Sequence, residues 1–188
     1  MYQNRLMWML VIVAIIVAAD AVARLLLFRG EGSAAAAKSE PLSFRPFRFL
    51  VNAGAFVCFA LAAWTGFSGL YDPNGVLTGS GLITHVTVAP AFAVGALVLA
   101  FFWAGRARLS QIGSYQHPLF LRSIFFWAAL VFAAPTIVSV LLAMFSWVTP
   151  EQQTVLLTLH KTLAIPLAGA TLLFTWFALV TWWAERRG

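Results

Sequence analysis

The sequence predicts an all-α integral membrane protein with five transmembrane helices. Of its 188 residues, 62% are hydrophobic and only 10% are charged, whereas about a quarter of the residues of a soluble domain are charged. The apolar residues form long continuous runs, unlike the alternating pattern of a membrane β-barrel. The few polar residues could not cover a water-soluble globule, and we therefore expect the chain to fold in a bilayer.

Five apolar stretches reach the length of about 20 residues that a helix needs to cross the hydrocarbon core. Turn-forming or polar residues separate them, such as Gly30 to Ser33 after the first stretch and Asp72 to Gly75 after the second. The predicted spans are Leu6–Phe28, Phe49–Leu70, Leu82–Ala104, Leu121–Trp147 and Val155–Ala184.

The basic residues predict the orientation of these spans. The formal net charge is +6, and in a five-span chain most Lys and Arg residues fall on one side. Only Arg5 and Lys161 fall on the other. Because cytoplasmic loops are rich in Lys and Arg, the N-terminus is expected outside and the C-terminus in the cytoplasm of a bacterial-type inner membrane. This bias accounts for the charge without a nucleic-acid partner. The residues on the cytoplasmic side are Arg24, Arg29, Lys38, Arg45, Arg48, Arg106, Arg108, Arg122, Arg186 and Arg187.

Three regions follow from this topology: an N-terminal transmembrane helix at 1–29, a cytoplasmic linker at 30–47 and a four-helix transmembrane core at 48–187. Within the first region, Asp20 and Arg24 share one helix face because they are four residues apart. A carboxylate at that depth needs a partner, so we interpret the two as an internal ion pair. A proton or quinone-headgroup site and a contact to another subunit remain alternatives.

The third and fifth predicted spans begin with the same pattern. His85 and His160 each open a His-x-Thr-x-Ala motif that is followed by a proline. Arg48 and Arg122 stand in corresponding places before the two preceding spans. This repetition suggests two helical hairpins in parallel orientation, related by an axis along the membrane normal.

The repeat puts His85 and His160 at one depth near the outer surface, because both lie early in helices that run inward. Ionisable residues inside membranes are usually functional, neutral imidazole binds iron well, and helical bundles commonly hold such sites in their cores. We therefore predict that the pair are the axial ligands of one haem. The alternative is that each histidine is an interfacial residue or bridges two helices. Zinc is disfavoured because a structural zinc site has four ligands.

Four further features are weaker candidates. A single cysteine, Cys58, excludes an internal disulfide and a Cys-x-x-Cys pair, and is expected to be a small core residue. His117 is expected in a solvated loop. Lys161 could pair with a haem propionate or extend to the interface. Thr65-Gly66 and Ser68-Gly69 supply small residues for close packing or for a porphyrin edge.

At His85 and His160 the chain resembles the membrane cytochrome b family, which includes the cytochrome b subunits of formate dehydrogenase, nickel–iron hydrogenase and thiosulfate reductase. The likeness covers about residues 44–187. Arg48-Phe49-Leu50, entering a span that ends with Thr65-Gly66, is similar to the family's first core helix, and Leu159-His160-Lys161 is similar to the start of its last ligand helix. The first predicted helix is an addition to the family's four-helix core.

This resemblance implies a haem b protein that passes electrons between membrane quinone or quinol and an extramembrane redox subunit. The family often carries a histidine where Val51 and Asn52 stand, and another deep in the last helix, where Phe174 and its neighbours are apolar. Three histidines cannot supply two bis-histidine haems, so the likeness implies one haem, on the outer side. The chain is then an electron-transfer subunit of an oxidoreductase complex, with no catalytic residues of its own.

Two other classes of function remain open at this point. The chain could be a haem-free membrane anchor or assembly subunit of a larger complex, in which the histidines only bridge helices or meet lipid. It could also be a small transporter, although the last four predicted spans contain no Asp or Glu, and coupled transporters generally use buried carboxylates. No nucleophile–base set or phosphate-binding loop supports a hydrolase.

Overall fold

The computed structural model describes residues 45–71, 77–104 and 118–187, together with five residues near the N-terminus (8, 9, 12, 13 and 15). The three long ranges form four α-helices: α1, Arg45–Tyr71; α2, Gly79–Ala104; α3, Pro118–Ala143; and α4, Pro150–Arg187. Each contains an apolar segment of 20 residues or more, and at 1.5 Å per residue such a segment reaches across the hydrocarbon core. The protein is therefore all-α, with four helices long and apolar enough to span a membrane.

The helix ends differ from the predicted ones where local hydrogen bonds decide them. The predicted span Leu121–Trp147 is wrong at its end, because α3 stops at Ala143 and a series of tight turns follows. Helix α4 begins at Pro150, five residues before the predicted Val155. There the Thr149 hydroxyl accepts from the Gln152 backbone N–H, and the Gln152 side chain accepts from the Thr149 N–H. This reciprocal pair is a capping box, with proline at the first helical position.

The four helices pack as two hairpins. Helix α1 packs along α2 and α3 along α4, whereas α2 and α3 touch over a short stretch only. A central apolar cluster of Phe59, Ala133, Leu167 and Ala168 joins α1 to α3 and α4.

The surface of the bundle is apolar, while several hydroxyl groups lie inside it. Phe101 is 86% exposed, which suits contact with lipid tails. The buried polar residues Thr65, Ser123, Thr136, Ser139 and Thr181 each donate a hydroxyl hydrogen to a carbonyl three or four residues earlier in their own helix. Such bonds satisfy polar groups that would otherwise be costly in a bilayer.

The first predicted span, Leu6–Phe28, lies outside the described residues except for five helical positions. Of these, Met9 and Val13 lie against α4 beside Gly169. Asp20, Arg24 and His117 also lie outside the described residues, as does the predicted linker up to residue 44. The last three linker residues belong to α1, which begins at Arg45. Cys58 is a free, half-buried residue of α1.

Candidate functional site

The structure brings His85 of α2 and His160 of α4 together. Their ring centroids are 6.3 Å apart, and the ring planes are nearly perpendicular, at 84°. Both side chains are half-buried. The two residues lie 75 positions apart in sequence, so only the association of the two hairpins can place them side by side.

The hydrogen bonds of His85 determine which of its ring nitrogens carries the proton. Its Nδ1 lies 3.0 Å from the Ala62 carbonyl oxygen and 3.1 Å from the Thr65 hydroxyl. The carbonyl can only accept. The Thr65 hydroxyl donates to the Leu61 carbonyl at 2.7 Å, so it too presents a lone pair to the ring. Nδ1 of His85 is therefore the protonated nitrogen, and Nε2 carries the lone pair.

His160 has the same tautomer. Its Nδ1 lies 2.9 Å from the Thr136 carbonyl oxygen, which again can only accept a hydrogen bond. Both imidazoles thus donate Nδ1–H to a backbone carbonyl of the other helix in their own hairpin. Histidines that bind metals almost always donate their second ring N–H in this way, which fixes the ring and raises the basicity of the ligating nitrogen.

The spacing of the two rings matches that of two imidazoles on opposite sides of one metal. A ring nitrogen lies about 1.2 Å from its ring centre and a metal–imidazole bond is about 2.0 Å long, so collinear ligation places the ring centres about 6.4 Å apart. The observed 6.3 Å agrees with this distance. Within the parts of the chain that the structure describes, no group of three or more His, Cys, Asp or Glu could hold an ion. By themselves, His85 and His160 can supply two imidazole ligands.

The surroundings of the rings fit a flat apolar group. Gly66 lies against His85, and a Cβ added there would be only 3.0 Å from Cε1 of the imidazole. Phe59 and Phe92, with ring centroids 5.6 Å apart, join α1 to α2 below the histidine level. Phe92 is seven residues after His85, which is about 10 Å along the helix. The backbone of Gly66 thus packs against one side of the site, and the rings of Phe59 and Phe92 form an aromatic floor beneath it.

The two backbone acceptors, Ala62 and Thr136, were not predicted from the sequence. They stand in corresponding places of the two hairpins, since the Nδ1–H of each histidine reaches back 23 or 24 residues. The motif Thr-x-x-Ser, at Thr65 to Ser68 and at Thr136 to Ser139, marks both segments. In each case the serine hydroxyl donates to the carbonyl of the threonine. The motif could have indicated these two segments but not the acceptors themselves, because Thr136 opens the second motif whereas Ala62 lies three residues before the first.

Other predicted residues lie apart from the histidine pair. Lys161 follows His160 but its side chain is exposed. Arg122, near the start of α3, donates to the Thr181 hydroxyl at 3.0 Å. This bond ties α3 to α4 at the opposite end of the bundle from the histidines.

Comparisons of the chain with protein-family models, with curated proteins and with solved structures find no match. The resemblance to the membrane cytochromes b therefore rests on the short motifs around Arg48, His85 and His160. What the site can do has to be argued from its own geometry.

Proposed function

We propose that this protein is a membrane-embedded electron carrier that binds one haem b through His85 and His160. It passes single electrons between the quinone pool and a partner redox subunit. The observation that carries the proposal is the pair of imidazoles, 6.3 Å apart, each with Nδ1–H bonded to a backbone carbonyl. In this arrangement, Nδ1 of each ring makes a structural hydrogen bond, and Nε2 is left to bind a metal.

The residues of the site would hold the haem and shield it from water. His85 and His160 would bind iron through Nε2, and the carbonyls of Ala62 and Thr136 would keep both rings in the ligating tautomer. When bound, haem supplies a one-electron iron couple. Two protein ligands leave no open coordination position, which favours electron transfer over oxygen chemistry. The aromatic floor below the rings would exclude water from this level of the bundle.

In this proposal five helices cross a bacterial-type inner membrane, with the N-terminus outside and the C-terminus in the cytoplasm. Residues 48–187 form a cytochrome b-like core, and residues 1–29 add a helix that packs against α4. The described contacts of Met9 and Val13 beside Gly169 support that placement. Because the chain has little mass outside the apolar helices, the other redox centres belong to partner subunits.

The test is the haem content of the purified full-length protein. We expect a reduced b-type spectrum and, in a pyridine haemochrome assay, one haem b per chain. His85→Ala and His160→Ala should each abolish haem binding, since each variant leaves the iron with a single protein ligand. His117→Ala, in the remaining histidine, is the matched control and should keep the full haem content.

The other outcomes separate the competing functions. Protein that is purified with its full complex and has no haem absorbance would make the chain a haem-free anchor. Substrate uptake by the isolated protein in liposomes, without bound haem, would make it a transporter. Equal haem content in all three histidine variants would overturn the ligand assignment.

A further inference from the structure

The two imidazoles are held by unequal sets of acceptors. His85 Nδ1–H faces two, the Ala62 carbonyl at 3.0 Å and the Thr65 hydroxyl at 3.1 Å. His160 Nδ1–H faces one, the Thr136 carbonyl at 2.9 Å. That carbonyl also accepts a hydrogen bond from the Ser139 hydroxyl at 2.9 Å, and Ser139 is almost completely buried. The Thr65 hydroxyl also lies 3.2 Å from the Ala62 carbonyl, but its 2.7 Å bond to the Leu61 carbonyl takes most of its hydrogen, so Ala62 keeps its acceptor capacity for His85. The proton on His85 is thus shared more fully than the proton on His160.

This inequality has an electronic consequence for any metal bound by Nε2. Acceptors that draw the Nδ1 hydrogen outward give the ring more anionic character and make Nε2 a stronger donor. A stronger donor stabilises the oxidised metal and lowers its reduction potential. Hydrogen bonding behind the ligand is one of the means by which proteins set haem potentials. The Thr65 hydroxyl acts in this direction on His85, whereas the Ser139 hydroxyl withdraws acceptor capacity from His160.

We propose that Thr65 is a positioning residue that lowers the reduction potential of the bound haem by accepting a hydrogen bond from His85. Ser139 opposes it by competing with His160 for the Thr136 carbonyl. This inference rests on the proposed haem-binding function.

The structure provides a matched threonine for the test. Thr65 and Thr171 each donate a hydroxyl hydrogen to the carbonyl four residues earlier, at 2.7 and 2.8 Å. Thr65 also contacts His85, whereas Thr171 lies eleven residues after His160 in α4, about 16 Å along the helix. Replacing either threonine by valine therefore removes the same hydroxyl group from the same kind of helix bond, and only Thr65→Val changes the surroundings of a histidine.

The experiment is a redox titration of the haem-loaded full-length protein. Thr65→Val should raise the midpoint potential, Thr65→Ser should restore the wild-type value, and Thr171→Val should leave it unchanged. Ser139→Ala should lower the potential because the Thr136 carbonyl is then left to His160. All four variants are expected to keep one haem per chain.

A second readout does not depend on haem. In the haem-free protein labelled with ¹⁵N-histidine, Thr65→Val should change the Nδ1 resonance of His85 and leave that of His160 in place. If Thr65→Val prevents haem binding, this change in the His85 resonance decides in its place, and an unchanged resonance would overturn the role of Thr65.

The results distinguish this inference from the function it rests on. A wild-type protein without haem would overturn the electron-carrier proposal itself. A protein with one haem that needs both histidines, but with equal potentials in Thr65→Val and Thr171→Val, would overturn the role of Thr65 alone. An unchanged potential in Ser139→Ala would overturn the role of Ser139.

Discussion

The hairpin of α3 and α4 and the hairpin of α1 and α2 share a sequence pattern but hold their histidines by different means. In the most apolar window of α4, 39% of the residues are buried inside the protein, whereas the corresponding window of α2 has none. The buried residues of α4 begin at Ile165, so His160, like His85, lies in a stretch of helix whose residues are exposed or half-buried.

The two histidines differ in what the other helix of the hairpin offers them. The α1 helix contributes the Ala62 carbonyl, the Thr65 hydroxyl and the close backbone of Gly66 to the ring of His85. Among the described residues, His160 has one hydrogen bond, to the Thr136 carbonyl. The comparison teaches that the two halves of a repeat can orient their histidines through the same ring nitrogen with different sets of acceptors.

The largest effect on stability is expected in the core of the α3–α4 hairpin. Phe177 is 1% exposed and stacks on Phe125 with ring centroids 5.6 Å apart. Phe177→Ala should lower the free energy of unfolding by about 2–3 kcal/mol, because the cavity it leaves costs packing contacts even where the unfolded helices remain in lipid. Unfolding by denaturing detergent in mixed micelles measures the change.

Phe101→Ala is the control in the other hairpin. Phe101 is 86% exposed on α2, and its truncation should change stability by less than about 0.5 kcal/mol. Similar losses in the two variants would contradict the view that the α3–α4 hairpin contains the densely packed part of the protein.

A smaller effect, on haem binding, is expected from the glycine behind His85. In Gly66→Ala the new Cβ would lie 3.0 Å from Cε1 of the imidazole, so the ring must shift from its hydrogen-bonded position. Overpacking of this kind costs about 1–3 kcal/mol, and we expect haem affinity to fall about tenfold. Titration of the apoprotein with haem measures the affinity.

Gly54→Ala is the matched control for that substitution, since it lies in the same helix with nothing within 4 Å of an added Cβ. It should bind haem as the wild type does. Equal affinities in Gly66→Ala and wild type would mean that the ring of His85 has room to move.

Most of the helical fold could be predicted from the sequence because apolar length alone specifies a membrane-crossing helix. The described helices cover three of the last four predicted spans completely and the fourth, Leu121–Trp147, as far as Ala143. The ends of the predicted spans were less accurate, because the same polar residues can mark a break between two spans or the start of the next helix. The predicted spans end at Trp147 and resume at Val155, but Thr149 and Gln152 between them form the cap that starts α4.

The site could be predicted only in part, for a related reason. His85 and His160 stand out because they are rare polar residues in apolar helices, and the repeat predicted their common depth. Their acceptors are backbone carbonyls, which every residue has, so no side-chain pattern identifies Ala62. Which carbonyl meets Nδ1 depends on the rotation of one helix against the other, and that rotation is decided by packing across the whole hairpin.

The smallest effect is expected from the two glycines that follow the histidines in the repeat. A Cβ at Gly95 would lie 3.1 Å from the Cβ of Ala55 and 3.5 Å from its Cα, whereas a Cβ at Gly169 would meet the flexible end of Met9 at 3.2 Å. Alanine favours a helix over glycine by about 1 kcal/mol at either position. At Gly95 the overpacking of two helix backbones should exceed that gain, so Gly95→Ala should destabilise the protein by about 1 kcal/mol. At Gly169 the methionine can move aside, and Gly169→Ala should be neutral or slightly stabilising. Detergent unfolding compares the two variants, and equal changes would mean that the α1–α2 contact yields as easily as a methionine side chain.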